Sequence, residues 1–120
     1  MVNKVFVDPS GLLQIWVVGN QTGDSVREMG EKVVYYIEQL RGSHQPVLIL
    51  DNLKEMGQTT SEARREVARL ARSLRFDRAA MVGDGSAAMR YGTNLMLRAI
   101  GRRNIRYFAS LDAAQLWLRS

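Results

Sequence analysis

The alternation of apolar and polar positions divides the chain into nine segments. Val47–Asp51, VLILD, sets four consecutive aliphatic residues between Pro46 and a polar stretch, as a strand buried on both faces in the middle of a parallel sheet does. Asp51 closes this run, and NLKEMGQTT after it reads as a loop. Loops leaving the carboxyl ends of strands form the working edge of open α/β sheets, so Asp51 and the hydroxyls of Thr59, Thr60 and Ser61 become candidates for partner contact. Val2–Val7 and Leu12–Val18 are β-rich runs joined by Asp8-Pro9-Ser10-Gly11, a type I turn by its residues, which predicts an antiparallel hairpin. In the second run Leu13, Ile15 and Val17 alternate with Gln14 and Trp16, which sends Trp16 to the face opposite the core.

Four helical stripes complete the pattern. Val26, Met29, Gly30, Val33, Ile37 and Leu40 recur at spacings of three, four and seven, with Thr22 or Asp24 as cap and Gly42 and Pro46 as stops. Thr59 and Glu62 match a capping box that starts a second helix near Thr60. Its inward residues are Ala63, Val67, Leu70, Ala71 and Leu74, and Arg65, Arg69 and Arg72 project opposite. They form the densest local charge in the chain, either a docking face or a solvated one laced with Glu62 and Glu66.

Arg78–Gly83 is a short apolar strand, followed by Asp84-Gly85-Ser86 and a third helix that turns Ala88, Tyr91, Gly92, Leu95 and Ala99 inward. Met89, Met96 and Ile100 widen that helix's apolar arc beyond what one sheet face requires. They mark a homodimer contact or the wall of an apolar pocket with Trp16 or Tyr91 nearby, unless the fourth helix covers them. Arg102, Arg103 and Arg106 bracket a last strand, Ile105–Ala109, and a terminal helix begins at Ser110 or Asp112. The order ββαβαβαβα predicts an α/β fold with a single mixed, mostly parallel five-stranded sheet, one domain over residues 1–120.

Composition narrows the chemistry. No run approaches the ~20 apolar residues of a membrane span, and the N-terminus lacks a signal-peptide core, so a cytoplasmic location is expected. With no cysteine, thiol chemistry and zinc–thiolate sites are excluded, and with a single histidine, His44 in a turn, a histidine metal cluster or a Ser-His-Asp triad is not expected. The net charge of +5, with fourteen Arg against three Lys, suits phosphates, acidic proteins or anionic lipid. Nucleic acid is not expected, because no basic segment interleaves with aromatics and no zinc-finger spacing occurs. Gly83-Asp84-Gly85-Ser86-Ala87-Ala88 fits a G-x-G-x-x-A loop, but it follows a late strand and places an acid where phosphate would sit. Asp51 and Asp84 are the one carboxylate pair at strand ends, without a nucleophile or metal-ligand partner, so the expectation is a non-enzymatic protein with no cofactor.

The hairpin, LILD, RAAMVGD and IRYFASLDAAQLWLR resemble the STAS/CRAL-TRIO-like, SpoIIAA-like superfamily over nearly the whole chain. The resemblance implies helices wound on a sheet as a βα superhelix. Two kinds of relative follow from it: anti-sigma-factor antagonists phosphorylated by a kinase partner, and lipid-carrying domains with an apolar pocket. In the antagonists a serine sits about ten residues past the aspartate that ends the central strand. Ser61 falls there, with Thr59 and Thr60 beside it, in Gln58-Thr59-Thr60-Ser61-Glu62 rather than a D-S-S-G context. Those three residues are thus either a phosphorylation switch or simple caps. The resemblance leads to a non-enzymatic regulatory protein-interaction module that meets a kinase or sigma-regulator-like partner through Asp51, Arg65, Arg69 and Arg72; the alternative is a carrier or sensor of a lipid or other small apolar ligand.

Overall fold

The computed structural model describes residues 2–120, apart from the side chains at positions 87, 88, 91, 92, 95, 96 and 99. Its elements run β1 (Lys4–Val7), β2 (Leu13–Gln21), α1 (Gly23–Gly42), β3 (Leu48–Thr59), α2 (Ser61–Ser73), β4 (Arg78–Val82), α3 (Ala87–Ile100), β5 (Ile105–Phe108) and α4 (Leu111–Leu118). The strands lie in the sheet in chain order, β1-β2-β3-β4-β5. β1 is antiparallel to β2 and the other neighbours are parallel, so the expected mixed α/β sheet is the one found. Asp8 forms the hairpin turn: its Oδ1 accepts from the amides of Ser10 and Leu12.

Crossovers of one hand that step in one direction deliver successive helices to one sheet face. α1, α2 and α3 lie there, over a core that includes Leu13, Ile15, Ile49, Leu53 and Met81. α4, which has no further strand to reach, packs Ala114 and Leu118 on the other face against Leu12, Leu50, Ala80 and Val82. Leu50 and Ile49 are both buried because β3 is covered on both sides, which is why its first half is uniformly aliphatic. The inward stripe of α1 is as its periodicity predicts, with Val26, Gly30, Val33, Ile37 and Leu40 buried and Thr22 as cap. The inward residues expected of α3 (Ala88, Tyr91, Gly92, Leu95 and Ala99) lie outside the described residues.

β3 departs from the expectation. Instead of ending at Asp51 it continues to Thr59, pairing along β2 as far as Gln21. Two irregularities carry it. Between Trp16↔Asn52 and Val18↔Glu55, and again between Gly19↔Met56 and Gln21↔Thr59, β3 advances three residues while β2 advances two. Each is a β-bulge with one extra residue on β3. A bulge leaves amides without ladder partners, and here side chains supply them: Lys54 N–H donates to Asn52 Oδ1 at 3.1 Å and Gln58 N–H to Asn20 Oδ1 at 2.9 Å. Gly57 is needed beside that second contact, since a Cβ there would collide with Asn20 Oδ1.

Candidate functional site

The bulges decide which β3 side chains face α1, α2 and α3. Strict alternation from Ile49 would send residues 51, 53, 55, 57 and 59 to that face. With two extra residues the inward set is Ile49, Asp51, Leu53, Met56 and Thr59, and Glu55 is left exposed.

α2 does not close down on those side chains. It packs against α1 and α3 rather than closely on the strands. Leu70 leans on α1 at Gly30, where a Cβ would come within 2.9 Å of the Leu70 methyls, so glycine is what permits the approach. At the other end Arg102 fixes the C-terminus of α2. Its Nη1 donates to the Ala71 and Leu74 carbonyls at 2.9 and 2.6 Å, and its guanidinium lies 4.0 Å from the centre of the Phe76 ring. Between α2 and the sheet remains a cavity of about 430 Å³, within the ~300–1,000 Å³ range of small-molecule sites. Val67, Leu70, Ala71 and Leu74 are only partly buried because they border this space instead of touching the strands.

Among the described residues four polar ones border the cavity, Asp51, Thr59, Arg64 and Thr93; the rest of that lining is apolar. Arg64 is exposed, and its Nη1 donates to the carbonyl and hydroxyl of Thr59 at 2.7 and 3.0 Å, so these two form a polar mouth where β3 passes into α2. Asp51 lies deeper. It is in register with Ile15 on β2 and Met81 on β4, with Ile49 and Leu53 on either side along its own strand. Its accessible part borders the cavity, while its Oδ1 is sealed and has no hydrogen-bond partner. Burial alone pushes its carboxyl from an ordinary 3.8 to about 7, because no neighbouring charge or donor offsets the loss of water.

The expected site residues are distributed as follows. Asp51 does not stand at an outward rim: with β3 extended past it, it is a mid-strand residue facing the interior. Thr60, not Thr59, caps α2, accepting from Ala63 N–H at 3.0 Å. Thr59 is the last residue of β3, and Ser61 is the exposed first residue of α2. Arg65, Arg69 and Arg72 are exposed on the outer face of α2 as the spacing predicts, and Arg69 pairs with Glu66 at 2.9 Å.

Trp16 is on the sheet face opposite the cavity. Its Nε1 donates to Gln14 Oε1 at 2.8 Å and its ring packs near Phe6, so it is not grouped with Met89. Met89 borders the cavity, Ile100 is half-buried at the end of α3 outside the lining, and the side chains of Met96 and Tyr91 lie outside the described residues. Asp84 is exposed, with its carboxyl held below its ordinary value by hydrogen bonding from Ser86, and it does not border the cavity. Among the described residues no cluster of His, Asp and Glu forms a metal site, and no helix is long and apolar enough to cross a membrane.

Sheet order, one antiparallel edge strand and helices on both faces define the class as a STAS-like α/β domain. The chain belongs to the SpoIIAA-like family, whose pattern matches residues 12–119. Among solved structures it is similar to an uncharacterized protein with a SpoIIAA-like fold from Shewanella loihica PV-4, at 16% identity and a TM-score of 0.66 over 98% of this chain and 92% of that one. It is likewise similar to the anti-sigma factor antagonist SpoIIAA in its unphosphorylated form, at 16% identity and a TM-score of 0.64 over 99% of each chain. No curated protein matches the sequence significantly.

Proposed function

We propose that this protein binds a small apolar molecule between the sheet and α1, α2 and α3, as a non-enzymatic carrier or sensor. The supporting observation is the cavity itself. Its walls are largely apolar and partly open to solvent, and an apolar occupant would take that surface out of water. The lining offers an apolar body a dry surface and keeps its polar groups few, as ligand sites do.

Native mass spectrometry of the freshly purified chain tests this: a population heavier than the 13.6 kDa chain is expected, and organic extraction should release the extra mass. The Val67→Phe variant, which fills the cavity from α2, should lose that mass while staying folded. A wild-type chain that carries no extra mass and takes up no apolar dye would overturn the reading.

A second reading has its own observation, the exposed Arg65, Arg69 and Arg72 on α2 with Ser61 exposed at the start of the same helix. In it α2 presents a basic face to an acidic protein partner, a kinase or sigma-regulator-like protein, and phosphorylation of Ser61 beside the helix N-terminus alters the contact. Because α2 is also a wall of the cavity, one helix would then serve both ligand and partner. Arg65→Glu with Arg69→Glu should abolish capture of such a partner, and unchanged capture would remove that face from consideration.

A further inference from the structure

Two buried side-chain polar atoms lack a hydrogen-bond partner among the described residues, Asp51 Oδ1 and the Tyr107 hydroxyl. They fall on one row of the sheet, since Asp51 is in register with Met81 and Met81 with Tyr107. That row lies on the face that carries the cavity. Buried polar atoms are almost always satisfied, and an ionised carboxylate is far costlier to leave unpaired than a neutral polar group. Among the described residues no group donates to Asp51 Oδ1: α1 borders the cavity with Val26, Met29, Gly30 and Val33, and α3 with Met89, Leu97 and one hydroxyl, Thr93. The one titratable group that α2 adds is Arg64 at the mouth, already bound to Thr59.

We infer that the ligand carries a hydrogen-bond donor, a hydroxyl or an amine, on an otherwise apolar body, and that it meets the Asp51 carboxyl at the part open to the cavity, Oδ1 itself being sealed. This rests on the cavity being the binding site. An ionised carboxylate has acceptors only, so it selects for a group that donates and against one that merely accepts. In a dry site that selection is strong, because a ligand without the donor leaves the carboxylate as unpaired as it found it. Arg64 and Thr59 at the mouth do not compete for the donor, since both are already joined to each other. An amine arrives as a cation and gains from the ionised carboxylate, whereas a hydroxyl pairs with either form.

The test uses decanol, decylamine and methyl decyl ether, which share an apolar chain and differ in whether the polar end donates. Each competes with an environment-sensitive apolar dye on the full chain, stripped of retained ligand on a hydrophobic resin, at pH 8 where the Asp51 carboxylate prevails. At least one donor probe should displace the dye at a concentration about tenfold or more below that of the ether, the ratio expected of one hydrogen bond to a charged group. Decylamine should gain on decanol between pH 6 and pH 8 as the Asp51 carboxylate forms, and a constant ratio would count against Asp51 as the receiving group.

Asp51→Leu should bring all three probes to similar affinity, and Asp51→Asn, which keeps an acceptor oxygen, should retain part of the preference. Equal binding of ether and donors by the wild type, or a preference that survives in Asp51→Leu, would overturn the inference while leaving the cavity reading intact. Failure of the dye and every probe to bind would overturn both. Should Asp51→Leu not fold, the wild-type ratio and the Asn variant decide.

Discussion

Asp51→Asn removes one ionisation and keeps the size of the side chain, so any pH dependence lost with it belongs to that carboxyl. Burial holds Asp51 at about 7 in the folded chain against 3.8 in the ordinary case. From about pH 4 to pH 7 the folded state therefore binds more protons than the unfolded one, and stability must fall as pH rises through that window and level off above it. One pKa unit corresponds to about 1.36 kcal/mol. The interval between 3.8 and about 7 therefore amounts to ~4 kcal/mol in all, of which roughly 3 kcal/mol falls between pH 4.5 and pH 8. Urea unfolding at steps across that range, followed by the fluorescence of Trp16 and Trp117, measures it in wild type and variant. Other carboxylates titrate equally in both proteins, so the difference between the two curves isolates Asp51. Wild type should lose roughly 3 kcal/mol relative to Asp51→Asn on going from pH 4.5 to pH 8. Curves that stay parallel to within about 0.5 kcal/mol would mean that water reaches the carboxyl freely, and the case for an unsatisfied interior acid would be lost.

Two further outcomes follow from the helix that walls the cavity. Arg102→Lys keeps the charge but loses the planar stack on Phe76 and the fork to the last carbonyls of α2; it should cost roughly 2 kcal/mol in urea unfolding, and a cost under about 0.5 kcal/mol would show that α2 does not depend on that clamp. Thr60→Ala removes the N-cap of α2 and should cost about 1 kcal/mol, whereas Ser61→Ala should be nearly neutral; the reverse order would place the cap one residue later.

The sheet was legible because its signals are local. VLILD announces a strand covered twice, Asp8-Pro9-Ser10-Gly11 a hairpin, and the α1 stripe a helix with one buried side; tertiary structure overrides none of them. β3 beyond Asp51 was hidden for an equally physical reason. Asn52, Lys54, Glu55, Gly57 and Gln58 resemble a loop in composition, and two bulges break the period-two alternation that would have revealed a strand. The cavity was half legible. The apolar residues of α2 that line it were all identified as inward and Arg64 was not, but an amphipathic stripe looks the same whether it rests on a sheet or faces a gap. What holds α2 away is Gly30 against Leu70 and Arg102 reaching from beyond α3, contacts between distant parts of the chain that carry no sequence pattern. Trp16 was placed on the correct face of β2, yet its association with Met89 required knowing that α3 lies across the opposite one.

The paired bulges of β3 also set how evolution can edit this span. Each extra residue is absorbed where it occurs, so removing one would restore strict alternation there and leave Met56 and Thr59 facing the interior, in register with Gly19 and Gln21. Single-residue deletions in natural variants should therefore collect at the two bulges, between Asn52 and Glu55 or between Met56 and Thr59, and be absent from the regular run Leu48–Asn52, where one residue lost would exchange its two covered faces.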